Sequence, residues 1–167
     1  MIVEGRAIVV DRDDVDTDVL YPGQFLSVLD PAEMPRYLFA GLDPSLRDQL
    51  GGDTILVAGA NFGTGSSREN VPLAMRAAGI RCVVAQSFAR IFMRNCINLG
   101  LPAITSPEAV AAARPGSAIR VEAEAGRLEV DGHAFAVPAL PPFMLELLEA
   151  GGLVPWIARR LPELVSR

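Results

Sequence analysis

The stretch Thr54-Ile-Leu-Val-Ala-Gly-Ala-Asn-Phe-Gly-Thr-Gly-Ser-Ser-Arg-Glu-Asn70, continued by Val71-Pro-Leu-Ala-Met-Arg-Ala-Ala-Gly79, decides the fold. Thr54–Ala58 is apolar on both faces, the pattern of a buried parallel strand. Pro72–Ala78 reads as a helix closed by Gly79. Asn61–Asn70 therefore lies between the end of a strand and the start of a helix. In open α/β sheets, ligands bind at the carboxyl ends of strands. Gly63 and Gly65 permit positive φ and close approach to the backbone. Ser66 and Ser67 bring hydroxyls to the turn. The planar fork of Arg68 matches a carboxylate in two parallel hydrogen bonds. Together these residues describe a small-anion site. A second reading of the same residues is a capping box formed by Ser66 and Glu69, with Arg68 on a solvated face. Pro72 has no N–H for the carbonyl of Arg68. The predicted arrangement is thus a tight turn at Ser66–Asn70, then the main helix with Pro72 in its first turn. The third glycine of a dinucleotide fingerprint is missing, and no Gly-Lys-Ser/Thr follows, so this is not a Walker loop.

Working outward, Arg81–Ala85 is a second buried strand, which completes a right-handed βαβ unit. Phe88–Leu99 predicts a helix with Phe88, Ile91, Phe92 and Leu99 on one face. A strand over Leu101–Thr105 and a helix begun by Ser106-Pro107 follow. Ile119–Glu124, Arg127–Val130 and Ala134–Val137 alternate with period two between glycine turns, an antiparallel meander with one wet face. Phe143–Ala150 and Leu153–Leu161 read as two helices, split by Gly151-Gly152. Before the central unit, Met1–Val10 reads as a strand and Asp11–Asp18 as a loop crowded with carboxylates. No glycine sits mid-loop and no glutamate closes it, which argues against a calcium loop. Phe25–Leu29 is an apolar stretch after a Pro-Gly loop. Asp30 caps a helix over Pro31–Phe39 that Pro35 bends or shortens, and Asp43 caps a short helix through Leu50.

The chain of 167 residues suits one domain, taken as 1–167. Half of it is apolar, which supports a substantial core, and a net charge of −5 with no basic block argues against nucleic acid and anionic membranes. No signal segment or membrane-length apolar run is present, which predicts a cytoplasmic protein. Cys82, in an apolar run, and Cys96, in a helical pattern, are expected to be buried structural thiols. One histidine, His133, sits after a turn, which gives little support to a zinc site or a triad hydrolase.

Asn61-Phe-Gly-Thr-Gly-Ser-Ser-Arg-Glu69 resembles the signature of the swivelling domain of the aconitase superfamily, and the chain most resembles the 3-isopropylmalate dehydratase small subunits. Two further stretches carry the resemblance in the same order. Asp14-Val-Asp-Thr-Asp18, with Pro22, resembles the family's early Asp-Thr-Asp loop. Ser87-Phe-Ala-Arg-Ile-Phe-Met-Arg-Asn-Cys-Ile-Asn98 resembles the segment after the next strand. The resemblance spans about Val10 to Leu101. It implies an α/β fold of three β/β/α layers, with a mostly parallel central sheet and a small antiparallel meander. It also implies a hydro-lyase that converts 2-isopropylmalate to 3-isopropylmalate and is active only with a large subunit. That subunit would carry the [4Fe–4S] cluster; two cysteines here cannot complete its ligand set. Ser66 matches the family's base, whose alkoxide helix-start amides and Arg68 would stabilise. Ser67 and Arg68 match substrate-carboxylate ligands, and Asp18 an active-site carboxylate. Phe25, Leu26, Ser27 and Val28 fall in the substrate-selecting loop. Relatives that accept a third carboxylate carry an arginine there; an apolar lining suits an alkyl group. Thr64 stands where cysteine is common, and Asn70 where histidine or glutamine is usual. A dehydratase for another 2-alkylmalate, homoaconitate or a citrate-like acid is one alternative. A non-catalytic carboxylate-binding regulatory module is another, and a mononucleotide-binding α/β domain a third.

Overall fold

The computed structural model describes residues 1–165. Seven strands form one sheet: β1 (Ile2–Val10), β2 (Thr54–Ala58), β3 (Ile80–Ala85), β4 (Ala103–Thr105), β5 (Ala118–Glu122), β6 (Arg127–Val130) and β7 (His133–Ala136), in spatial order 4-3-2-1-5-6-7. β1 to β4 are parallel; β5 to β7 are antiparallel to their neighbours. The meander predicted at the sequence level is therefore continuous with the parallel strands. β1 joins the two parts with different halves: Arg6–Val10 pairs β2, while Ile2–Arg6 pairs β5.

Alternation along the strands fills two cores. Leu56, Ala58, Val83 and Ala85 face the helices α2 (Asn70–Ala77) and α3 (Arg90–Asn98), together with Met75, Phe92 and Cys96. Ile55, Val57, Cys82 and Val84 face the other way, into a core shared with Ala109 and Ala113 at α4 (Pro107–Ala112) and with Ile119, Val121, Leu128 and Val130 of the meander. One core thus holds side chains from both halves of the sheet, and the other lies beneath α2 and α3. This is the expected β/β/α layering. At the carboxyl end, α5 (Pro142–Ala150) and α6 (Leu153–Val165) form a hairpin. Trp156 meets Phe143 edge-to-face at 5.3 Å and lies under Arg160. Among the described residues, no helix is long and apolar enough to cross a membrane.

Three local expectations change. The helix expected over Pro31–Phe39 is only a 3-10 turn at Met34–Tyr37, because Pro31 and Pro35 leave too few donors for α-helical bonds. Asp43 does cap its segment, through Ser45 N–H at 2.9 Å, but Pro44–Gln49 is again 3-10. The α3 helix begins at Arg90, since Phe88 and Ala89 are held in extended pairing with Phe62. Its buried face is Phe92, Cys96 and Ile97, and Ile91 is 49 % exposed rather than inward.

Both thiols are buried, on opposite faces of the sheet. Burial pushes Cys82 up from 9.0 to about 12 and raises Cys96 likewise. Well below pH 9 the thiols are neutral in folded and unfolded chains alike. Above it the unfolded chain ionises first, so stability falls as pH rises towards the folded value. The expected slope is up to about 1.4 kcal/mol per pH unit for each thiol. Buried Tyr21, also raised by burial, adds to this above pH 10. Urea unfolding at stepped pH above 9 should therefore give a shallower slope for Cys82→Ala than for wild type; equal slopes would contradict the assignment.

Candidate functional site

The parallel strands end in register: Val10 beside Ala58, Ala58 beside Ala85, Ala85 beside Thr105. The loops leaving β1, β2 and β3 must therefore emerge side by side. The β2 loop runs between the other two. Gly63 N–H donates to the carbonyl of Val15 and Thr17 N–H to that of Thr64, both at 2.9 Å. On the opposite side Phe62 N–H donates to Ser87, and Ala89 N–H to Phe62, at 3.0 and 2.9 Å. Side chains add to the weave. Asp13 accepts from Ala60 N–H at 2.7 Å, Asn61 donates its amide to Asp14 at 2.8 Å, and Ser87 Oγ accepts from Asn61 N–H at 2.8 Å. A buried backbone needs such partners for every donor.

The glycines are required here. Gly63 has φ +79° and its Cα lies against the Phe92 ring; Gly65 has φ +91° and lies against the Asp16 carboxylate. Gly63→Ala combines left-handed strain with a methyl driven into a packed ring. It should destabilise the chain by about 2–4 kcal/mol, read as a lower urea midpoint; an unchanged midpoint would show that the loop repacks freely.

The turn presents Gly65, Ser66 and Ser67 to solvent, with Arg68 half-buried behind them. Ser66 makes no capping box. The α2 helix begins at Asn70, and its N-cap residue Glu69 makes no side-chain capping bond. Pro72 falls in the first turn, as expected. Ser66 instead meets Thr17 at the start of α1 (Thr17–Leu20), a short helix not foreseen from sequence. Thr17 Oγ1 lies 3.2 Å from Ser66 Oγ and 3.3 Å from its carbonyl oxygen. Asp16 caps α1 by accepting from Asp18 N–H at 2.6 Å. On the other side of the turn, Asn95 of α3 donates to the Ser67 carbonyl at 3.1 Å.

Asp18 and Arg68 form an ion pair. Asp18 is more than half exposed, so the pair contributes only about 0–1 kcal/mol to stability. Its effect is to hold the guanidinium. The contact is made by Nη1 of Arg68, which is shielded from water. The guanidinium lies over Gly23, in the loop after α1.

Phe25, Leu26 and Val28 are half-buried and pack against the first core, with Phe25 stacked on Tyr37 at 4.3 Å; Ser27 is exposed. Thr64 contributes its main chain to the Asp16–Thr64 pairing, so cysteine is not needed there for loop geometry. Asn70 is the first residue of α2. His133 opens β7, exposed and on the meander. Among the described residues, no group of three or more His, Cys, Asp or Glu is placed to hold a metal ion. Sequence reasoning passed over Thr17 and Asn95. Thr17 stands beside Asp18 in the quoted loop, and that adjacency was the available signal; Asn95 had none beyond helical spacing.

The family model of the aconitase C-terminal domain matches residues 44–109. The chain is 44 % identical to the 3-isopropylmalate dehydratase small subunit of Moorella thermoacetica, over 96 % of this chain and 98 % of that one. It is also 44 % identical to the 2,3-dimethylmalate dehydratase small subunit of Eubacterium barkeri, over 87 % and 90 %. The crystal structure of 3-isopropylmalate dehydratase from Methanocaldococcus jannaschii superposes with a TM-score of 0.90 at 34 % identity, covering 99 % of each chain. Full-length similarity at this level, together with the fold and the ordered loops, places the chain in the family of 3-isopropylmalate dehydratase small subunits.

Proposed function

We propose that this chain is the small subunit of a hydro-lyase that isomerises 2-isopropylmalate to 3-isopropylmalate by dehydration and rehydration, as in leucine biosynthesis. The observation that carries the reading is the half-site itself: two exposed serines on a glycine turn beside a half-buried arginine that an exposed aspartate holds at the same mouth. Elimination needs a proton taken from carbon next to a carboxylate. In this reading Ser66 Oγ takes it, and Arg68 clamps the carboxylate in a bidentate pair. Asp18 holds the guanidinium in place, and Ser67 offers a further donor to the same carboxylate. The turn lies open, which fits a surface completed by a partner.

The second task, expelling hydroxide, requires a Lewis acid. The residues of this chain do not fit a [4Fe–4S] cluster, since the two cysteines are buried on opposite faces of the sheet. The cluster is assigned to a large partner subunit, in keeping with the family, and such an assembly would be cytoplasmic. The apolar 25–28 segment, with no arginine, favours an alkyl substituent over a third carboxylate. The relative named for 2,3-dimethylmalate supports a second reading, in which another 2-alkylmalate is the substrate. Pockets of this kind discriminate a methylene by only about 1–3 kcal/mol.

The test is anaerobic reconstitution with a cluster-bearing large subunit and an alkene-formation assay on 2-isopropylmalate, 2,3-dimethylmalate and citrate. Turnover should be fastest on 2-isopropylmalate. Preference for 2,3-dimethylmalate would select the second reading, and preference for citrate would overturn the role given to the apolar loop. No turnover on any of them, with carboxylate binding intact, would favour a regulatory module.

A further inference from the structure

Thr17 is 1 % exposed, yet its hydroxyl ends against Ser66. Its main chain is fixed at both sides: N–H to the Thr64 carbonyl and C=O from Tyr21 N–H, each at 2.9 Å. Burial and these bonds make Thr17 the fixed member of the pair, and Ser66 is the exposed one. A threonine hydroxyl carries one proton and two lone pairs. While Ser66 keeps its proton, Ser66 can donate to Thr17 Oγ1 and Thr17 to the Ser66 carbonyl. Once Ser66 loses its proton to water, only one arrangement serves: Thr17 donates to the alkoxide. That bond is charge-assisted and favours the ionised form.

We propose that Thr17 is a positioning residue that aims Ser66 Oγ and donates the hydrogen bond stabilising its deprotonated state. The proposal rests on the reading of Ser66 as the base. The proton taken from the substrate carbon restores the Ser66 hydroxyl, which donates again to Thr17 Oγ1 while Thr17 turns back to the carbonyl. Other charges near Ser66 pull in both directions. The carboxylate of Asp16, against Gly65, and that of Asp18 favour the protonated serine, whereas Arg68 favours the alkoxide. From α3 the turn receives the uncharged amide of Asn95. The bond from Thr17 is a direct contact to the reacting oxygen.

The test uses the complex reconstituted with the cluster-bearing large subunit. Thr17→Val keeps the shape and removes the donor. It should lower kcat about 10-fold, the equivalent of one such hydrogen bond. KM should change by less than about 2-fold, because ground-state binding is not touched. The acidic limb of the kcat–pH profile should move up by about one unit. Thr17→Ser should restore both kcat and the limb. An unmoved pH limb in Thr17→Val, or a Thr17→Ser variant as impaired as Thr17→Val, would each overturn the proposal. The two assignments fail separately. Full turnover by Ser66→Ala removes the base, while a dead Ser66→Ala beside a normal Thr17→Val removes only the role of Thr17.

Discussion

Ser66→Ala should lower kcat of the reconstituted enzyme by about 10³–10⁴-fold, the upper part of the range for loss of a positioned proton acceptor, while the two subunits still co-purify. The variant removes only one oxygen from an exposed residue, and the loop does not depend on it. The Gly63 and Thr17 main-chain bonds and the Asn95–Ser67 bond hold the turn without the Ser66 side chain. The isolated variant should therefore lose little stability. This separates Ser66→Ala from Gly63→Ala, which should damage fold and activity together. The pairing of results is diagnostic. Lost turnover with intact assembly and near-normal unfolding assigns the chemistry to Oγ. Wild-type-like turnover would remove Ser66 as the base and leave the turn as a carboxylate cradle. A residual rate well above background would reflect clamping and the partner's contribution, as in other sites where one group of a unit is removed.

How much of this was legible in the sequence depends on which physical signal each residue carried. β2 and β3 were readable because all five residues of Thr54–Ala58, and nearly all of Ile80–Ala85, are buried, which leaves an unbroken apolar run. The meander was readable from period two and its glycine turns. The turn around Ser66 was readable because Gly63 and Gly65 are demanded by positive φ and close neighbours. The facing direction of α3 was not. Phe88 is drawn into pairing with Phe62, so the helix starts later and its buried stripe falls on Phe92 and Cys96. Nothing local to Ser87–Leu99 encodes that pairing. The Thr17–Ser66 contact spans two loops far apart in the chain, and it exists only because β1 and β2 end side by side. The Asn95–Ser67 bond is of the same kind. What the sequence withholds is the tertiary juxtaposition of loops, even when each loop is recognised singly.

Arg68→Lys should raise KM for the dicarboxylic substrate by about 10- to 100-fold, with kcat falling less. Lysine keeps the positive charge but replaces a rigid planar fork with a single rotating ammonium. Losing one of two parallel charge-assisted bonds costs about 1.5–3 kcal/mol, which corresponds to that range in affinity. The position adds a second penalty. Nη1 is shielded from water in the wild-type chain and lies against Asp18. A lysine must either bring a compact, strongly hydrated charge into that shielded place or withdraw towards solvent and leave Asp18 unpaired. Asp18→Asn tests the same arrangement from the other partner. It keeps the shape beside Arg68, removes the charge that fixes the guanidinium, and should raise KM by a smaller factor, about 3- to 10-fold, because the pair is partly exposed and screened. The order of effects follows from the geometry: clamp first, holder second. An Arg68→Lys variant with unchanged KM would mean that the substrate carboxylate does not meet this side chain. An Asp18→Asn variant more impaired than Arg68→Lys would mean that Asp18 contacts the substrate itself rather than acting through the arginine.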